Sequence, residues 1–419
     1  MATADVVIIG GGVAGLFTLD QLVRDGHQAV LLEVSRLGSG QTVSAQGIIH
    51  GGLKYSLSGS SSPSALGLKQ MPAVWSECLA GSREPDLSDV TLRSRSCLLW
   101  RGNSLGSRLG FLGARLGLEV TPRRLEPANR PPLLADHPGP VAEMDEPVID
   151  PVSLLESLAR RHQHRLFLYD PDRISWQLEG PGEVSGLSIW HPWDDLPGSM
   201  LQLAPAAVVL AAGAGNARLR QQLGLLATAT QTRPLHMVMV RGEVSQLPRL
   251  CGHQVDGAHT RITITSDVDS QGRSVWQLGG QLAEDGVGMS RQELVEHVAK
   301  ELAEVLPGLE LGGLEVNTYR VDRAEAATGG GGRPETQSVR VEGNTLTVFP
   351  TKLALAPVLA LEVTAVIGDL ADRAPAGVSR SLEGIDWPRP EVARPPWESA
   401  TDWLPLAPGA AAAAARKAA

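Results

Sequence analysis

Gly10, Gly12 and Gly15 have the spacing G-x-G-x-x-G, and Glu33 closes the next apolar run. Each has a chemical reason. Gly10 permits a tight turn, Gly12 lets the backbone approach a pyrophosphate, and Gly15 lets a helix pack closely on a strand. The helix that opens there turns free amides and its positive dipole end toward phosphates. A carboxylate at Glu33 can accept hydrogen bonds from ribose hydroxyls. Alone the glycine spacing is a weak signal, and it fits a merely structural turn. Preceded by Val6-Val7-Ile8-Ile9, followed by helical spacing and joined to Glu33, it reads as a dinucleotide site.

A second group lies in Gln41-Thr42-Val43-Ser44-Ala45-Gln46-Gly47-Ile48-Ile49-His50-Gly51-Gly52-Leu53-Lys54-Tyr55. Thr42 and Ser44 can donate hydroxyl hydrogen bonds, and His50 can exchange a proton near neutral pH. A third is Pro350-Thr351-Lys352-Leu353, between an apolar run and a helix. A fourth is cationic: Arg323, within Tyr319-Arg320-Val321-Asp322-Arg323, and Arg333 after four glycines. Arginine suits fork-like recognition of carboxylate or phosphate, and any one of these residues is equally readable as a surface cation.

The segment from Gln41 to Tyr55 resembles the Ser/Thr-rich, I-H-G-G-L-[RK]-Y stretch of FAD-dependent glycerol-3-phosphate dehydrogenases, within the wider D-amino-acid-oxidase-like superfamily. Val208 to Asn216 is similar to that family's second FAD-contacting strand, and Gly213 belongs to it. Arg261 to Gly280 is similar to its substrate-domain sheet, and Val348 to Leu353 to its turn facing the flavin. The resemblance implies FAD held non-covalently. It places Thr42, Ser44, Gly51 and Gly213 by the cofactor, and puts the amides of Pro350, Thr351, Lys352 and Leu353 toward the flavin N1 and O2 edge. There fixed donors stabilise the reduced ring. Lys352 either adds charge or is solvated. His50 is placed beside the isoalloxazine, as a base or as a residue that shapes the pocket. Lys54, Arg323 and Arg333 are placed where the substrate's anionic group binds. Two departures stand out. The extra C-terminal helical domain of those dehydrogenases is not expected here, and Gly47 stands where they often carry a basic residue.

The elements that must position these residues are legible in outline. Ala4 to Ile9, Ala29 to Leu32 and Ala207 to Ala212 read as buried parallel strands. Leu16, Leu19, Leu22 and Val23 recur at helical spacing. Helices are expected over 67–79, 150–162, 290–306 and about 353–370; the third has a capping box, Ser290 with Glu293. From 232 to 282 the pattern alternates, as antiparallel strands do. The stretches 35–62, 123–147 and 320–343 read as loops. The first, rich in Gly and Ser, could run beneath an extended dinucleotide, which together with the late return at Thr351 favours FAD over NAD.

Composition narrows the partners. A net charge of −9, from 37 basic and 46 acidic residues, argues against nonspecific nucleic-acid binding. Cys78, Cys97 and Cys251 form no CxxC pair, so no metal site is expected, and the sparse count fits the cytoplasm. No apolar run is read as a transmembrane segment; peripheral contact at the inner face of the membrane stays open.

The expected fold is therefore α/β: a discontinuous FAD-binding Rossmann-like domain (1–80, 150–230 and 341–375) with an antiparallel-sheet substrate domain (231–340). Residues 81–149 are expected to form a substrate-domain insertion and connecting loops, and 376–419 a Pro/Trp-rich and Ala-rich tail. The expected activity is hydride transfer from a small polar, anionic, hydroxylated substrate to flavin N5, with oxygen, a quinone or a protein as electron acceptor. An amine or amino-acid oxidase of the same superfamily, and a non-catalytic flavin-binding subunit, are the alternatives.

Overall fold

The computed structural model describes residues 4–52, 68–102, 122–193, 200–256, 259–371 and 385–407. Two large sheets organise them. The first has six strands in the order β18 (Ser338–Glu342), β19 (Thr345–Phe349), β12 (Ala207–Leu210), β1 (Val6–Ile9), β2 (Ala29–Glu33), β8 (Leu166–Leu168). All pairings are parallel except β18 with β19. Every residue of β1, β2, β12 and β19 is buried, because helices cover one face and a small sheet the other. That small sheet is antiparallel, β11 (Met200–Leu203), β10 (Glu183–Trp190), β9 (Ile174–Gly180).

Helix α1 (Val13–Arg24) lies against the six-stranded sheet, flanked by α2 (Met71–Leu79) and α3 (Pro151–His162). Asp150 caps α3, accepting hydrogen bonds from the amides of Val152 and Ser153. Helix α4 (Asn216–Gln222) follows β12, and α5 (Gln281–Asp285) and α6 (Arg291–Val305) follow the second sheet's strands. The capping box at Ser290 and Glu293 is formed in α6. The last long helix, α7 (Ala356–Ala371), packs along α1. The stretch Leu353–Leu370 has mean hydropathy 1.9 and is, by length and composition, long and apolar enough to cross a membrane. The sequence reading takes no apolar run as a transmembrane segment; this stretch is the one candidate among the described residues. Here Leu359, Val363 and Ile367 are fully buried against α1 and the sheet, as in a core helix.

The second sheet has nine strands in the order β20 (Leu404–Pro405), β17 (Glu315–Ala326), β13 (Thr230–Gly242), β16 (Ser274–Gly279), β15 (His259–Val268), β14 (Gly252–Asp256), β4 (Cys97–Arg101), β6 (Val141–Met144), β5 (Arg123–Arg124). A short ladder of β3 (Leu92–Ser94) and β7 (Val148–Ile149) joins the two halves.

Three sequence expectations are corrected. The stretch 123–147 is no plain loop, since β5 and β6 extend the nine-stranded sheet. Nor is 320–343: β17 continues to Ala326, and β18 pairs with β19. Charged residues alternate with few apolar ones there, so no period-two hydrophobic signal marks the strand. Consequently 338–340 belong to the first sheet, not the second. Within the tail, residues 385–407 form an arm across both sheets. Leu37 donates to Glu391 O and accepts from the amide of Ala393, and β20 closes the edge beside β17. The guanidinium of Arg241 stacks 4.0 Å from the Trp403 ring centroid.

Candidate active site

A cleft of about 640 Å³ crosses the C-terminal ends of β2, β1, β12 and β19. Its lining runs from Glu33 and Tyr169, past Gly10, Gly12 and Gly213, to Thr351 and Lys352. Three strand spacings separate β2 from β19, about 14 Å. An extended dinucleotide fits such a span, and a mononucleotide does not fill it.

Gly10 has φ +111°, and a Cβ there would lie 2.5 Å from Ala212 Cα. A Cβ on Gly15 would lie 2.0 Å from Gly10 O, so only glycine allows α1 to sit this close to β1. Gly12 differs. Its φ is an ordinary −77°, and its nearest neighbour would be Thr42 Oγ1 at 3.3 Å. The need for glycine at 12 comes from whatever occupies the cleft.

Glu33 is buried, and its carboxylate accepts from the amides of Gly11 (2.6 Å), Val34 and Ser35. Burial pushes it above the usual carboxylate range, against these three donors. It therefore holds the phosphate turn as well as facing the cleft. Thr42 Oγ1 accepts from the Val13 amide at 3.1 Å, which leaves its hydroxyl proton for a ligand. Ser44 Oγ donates to Gly40 O, and Ser44 O accepts from Gln277 Nε2 at 2.8 Å. Gln46 donates to Thr263 O and Gln277 O, so the 41–46 loop is pinned on β15 and β16. Gly51 does not line the cleft; its amide donates to Glu146 Oε1 at 2.6 Å.

At the far end Thr351 has φ +62°, and its hydroxyl donates to Thr336 O. The Lys352 amide is taken by Pro350 O at 2.6 Å, so it is not turned to the cleft as expected. The Lys352 side chain is buried, and Nζ donates to Glu335 O at 2.6 Å. Burial, then the nearby Arg333, push its pKa down to about 7, with Glu335 and Glu325 opposing. The solvated reading of Lys352 is thus overturned.

A second cavity, about 360 Å³, shares Gln41, Ser44, Ala45 and Val321 with the cleft. His50, Arg323 and Arg333 line it, together with His259, Gln281 and Glu284. Arg323 stands directly opposite Arg233 across β17 and β13. Glu325 holds Arg233 through two 2.7 Å bonds, and Arg323 Nη1 donates to Glu284 at 3.0 Å. Burial, with Arg233 and Arg333 close by, pulls Arg323 below the ordinary arginine range. The cavity thus gathers two arginines, Arg323 and Arg333, the first of them paired with Glu284. Lys54, assigned to the same pocket from sequence, lies outside the described residues.

Behind His50, its Nδ1 lies 3.4 Å from Glu146 Oε2, and its ring centroid lies 5.3 Å from that of His253. His50, Glu146 and His253 present ligand atoms within 4.8 Å of one another. Sequence reading missed Glu146, His253, His259 and Glu284. Glu146 sits in a proline-rich stretch and His253 in an ordinary strand, so neither carries a local signal.

This architecture, a mostly parallel dinucleotide sheet joined to a mostly antiparallel sheet over one end of the cleft, matches a known class. The profile of the family "FAD dependent oxidoreductase" matches residues 5–345, and the chain belongs to that family. It is 37% identical over 409 residues to the "Probable FAD-dependent oxidoreductase PA4991" of Pseudomonas aeruginosa, covering 95% of this chain and 98% of that protein. The crystal structure of that relative superimposes with a TM-score of 0.78, at 35% identity and the same coverage. Glycine oxidase from Geobacillus kaustophilus shares the fold at 20% identity, TM-score 0.61, covering 90% of this chain and 96% of that one. L-α-glycerophosphate oxidase from Mycoplasma pneumoniae, with FAD bound, does so at 15% identity, TM-score 0.61, covering 96% and 100%. The protein is an FAD-dependent oxidoreductase of the D-amino-acid-oxidase type.

Proposed function

We propose that the chain oxidises a small hydroxylated substrate carrying a carboxylate or phosphate. The observation behind this reading is that His50, Arg323 and Arg333 line one cavity that opens into the cofactor cleft. FAD, when bound, would supply the acceptor for the hydride and the electron pair it carries. The protein's part is to bind, orient and deprotonate. Arg323 and Arg333 bind the anionic group and so fix the substrate's direction. The His50 ring edge opposite Nδ1 carries Nε2, and it takes the hydroxyl proton as the adjacent C–H leaves as hydride. The substrate thereby loses one proton and one hydride and becomes a ketone or aldehyde. Gly10, Gly12, Glu33, Thr42 and the Thr351 turn hold the cofactor.

A second reading, oxidation of an amino acid, is favoured by Glu284. Its carboxylate beside Arg323 would suit a substrate with a cationic amine next to its carboxylate. Fold neighbours named glycine oxidase, L-proline dehydrogenase and iminodiacetate oxidase add the class. Anaerobic mixing of the purified flavoprotein with 2-hydroxy acids, polyol phosphates and amino acids separates the two. Bleaching by a hydroxy acid or polyol phosphate supports the first reading, and bleaching by amino acids alone replaces it with the second. Peroxide released in air by the active substrate would identify oxygen as electron acceptor.

A further inference from the structure

The active-site cavity does not explain Glu146. This carboxylate is 1% exposed, comes from the segment between β6 and β7, and stands behind the cavity wall. A buried carboxylate is costly unless it is paired or hydrogen-bonded. Glu146 divides its two oxygens between neighbouring residues of one loop. Oε1 accepts from the Gly51 amide at 2.6 Å, and Oε2 lies 3.4 Å from His50 Nδ1. One carboxylate thus reads both the ring of His50 and the peptide that follows it. A contact to Gly51 alone would position the loop; the approach to Nδ1, at an ion-pair distance of 3.4 Å, puts negative charge beside that nitrogen and so favours the proton there.

We propose that Glu146 is a positioning residue for His50: it holds the Nδ1–H tautomer, leaving Nε2 as the acceptor on the cavity side, and stabilises the ring after it gains a proton. The proposal rests on the reading of His50 as proton acceptor. The rest of the environment is consistent with it. His253 lies beside the ring at an interplanar angle of 30°, and its own Nδ1 is engaged with Thr263 Oγ1 at 2.8 Å. The other charged or titratable groups facing His50, across the cavity, are Arg323, Arg333, His259 and Glu284. The two arginines disfavour a protonated ring, so a carboxylate on the opposite side offsets them when the proton arrives.

The test uses holoenzyme labelled with ¹⁵N-histidine, and needs no substrate. Long-range ¹H–¹⁵N correlation spectra distinguish the tautomers of the 10 histidines, with the His50 signals assigned by their loss in His50→Gln. The wild-type spectrum alone decides the first part: a proton on Nδ1 of neutral His50 supports the proposal, and one on Nε2 overturns it. In Glu146→Gln the protonation midpoint of His50 should fall by about one pH unit, while Glu146→Asp restores most of the difference. Midpoints unchanged in Glu146→Gln at full flavin content would overturn the proposal. So would a stoichiometric divalent cation in the purified protein that is lost in Glu146→Gln, because His50, Glu146 and His253 would then be ligands. Failure of the underlying reading has a different signature. If the active substrate of the anaerobic panel reduced the flavin of His50→Gln at the wild-type rate, His50 would not be the proton acceptor, whatever its tautomer.

Discussion

The two cavities meet, yet they are built on opposite principles. The cofactor cleft is made largely of backbone: a glycine turn, a helix end, and the mouths of four parallel strands. Its defining residues, Gly10 to Glu33, are close in sequence. The second cavity, where we propose the substrate binds, is lined mainly by side chains from β13, β15, β17, α5 and the 41–50 loop, with Arg333. Backbone sites tolerate little change in shape, because a Cβ in the wrong place meets main chain. Side-chain sites tolerate changes of shape and respond to changes of charge. The cleft should therefore fail by losing its ligand, and the cavity by losing affinity in graded steps.

The largest effect should come from Gly12→Val. Its side chain would enter the cleft where the φ of −77° leaves the fold itself unstrained. Most of the bound flavin should be lost while the far-UV circular dichroism stays native. Full flavin occupancy would show that the phosphates lie elsewhere. Glu33→Ala should be milder in binding but should also destabilise, since it strips an acceptor from the buried Gly11 amide; that costs about 1–3 kcal/mol.

On the cavity side, Arg323→Gln should weaken binding of the anionic substrate about ten- to a hundredfold, from a charge-assisted contact of roughly 1.5–3 kcal/mol. Flavin content should be unchanged. Wild-type affinity in this variant, read by anaerobic flavin titration, would remove the anion pocket and leave the two regions without the proposed contrast.

Smaller and opposite in sign, Glu284→Gln should release Arg323 from its 3.0 Å partner. Because Glu284 is partly exposed, the gain in affinity for a hydroxylated anion should be only about two- to fivefold. Weaker binding instead, seen with an amino acid, would favour the amine reading and make Glu284 a substrate contact.

The smallest effects belong to Lys352, where the two regions meet. Lys352→Met should lower the flavin reduction potential by about 30 mV, since a favourable interaction of about 1.4 kcal/mol with the reduced cofactor corresponds to that shift. An unchanged potential would assign Lys352 to structure. Its folded pKa of about 7 lies below its ordinary value of 10.5. Between those values the unfolded chain binds a proton that the folded chain has released, so this residue makes stability rise with pH across that window. Urea midpoints of flavin-free protein should rise from pH 7 to 9.5 less in Lys352→Met than in wild type.

Legibility in the sequence follows the same division. Gly10, Gly15 and Glu33 could be read because their roles depend on neighbours a few residues away and on a local strand–turn–helix pattern. The buried strands showed as unbroken apolar runs, and α6 announced itself by its capping box. β17 did not show, because a strand that faces a charged cavity loses the alternation that reveals it; β18 alternates, but over only five residues. The helix following Thr351 was visible, but its first turn was not: Lys352 spends its amide on Pro350 and its ammonium on Glu335, a partner set by how the chain returns.

By itself, then, the sequence determined the dinucleotide turn, the class of sheet that carries it and the positions where cations and a histidine were available. Only the tertiary structure decided which of these meet. It paired Arg323 with Glu284, placed Arg333 beside Lys352, and brought Glu146 from 96 positions away to His50. Local patterns encode what short-range backbone geometry requires. The charge environment of a side chain is set by groups far along the chain, and no spacing rule carries that information.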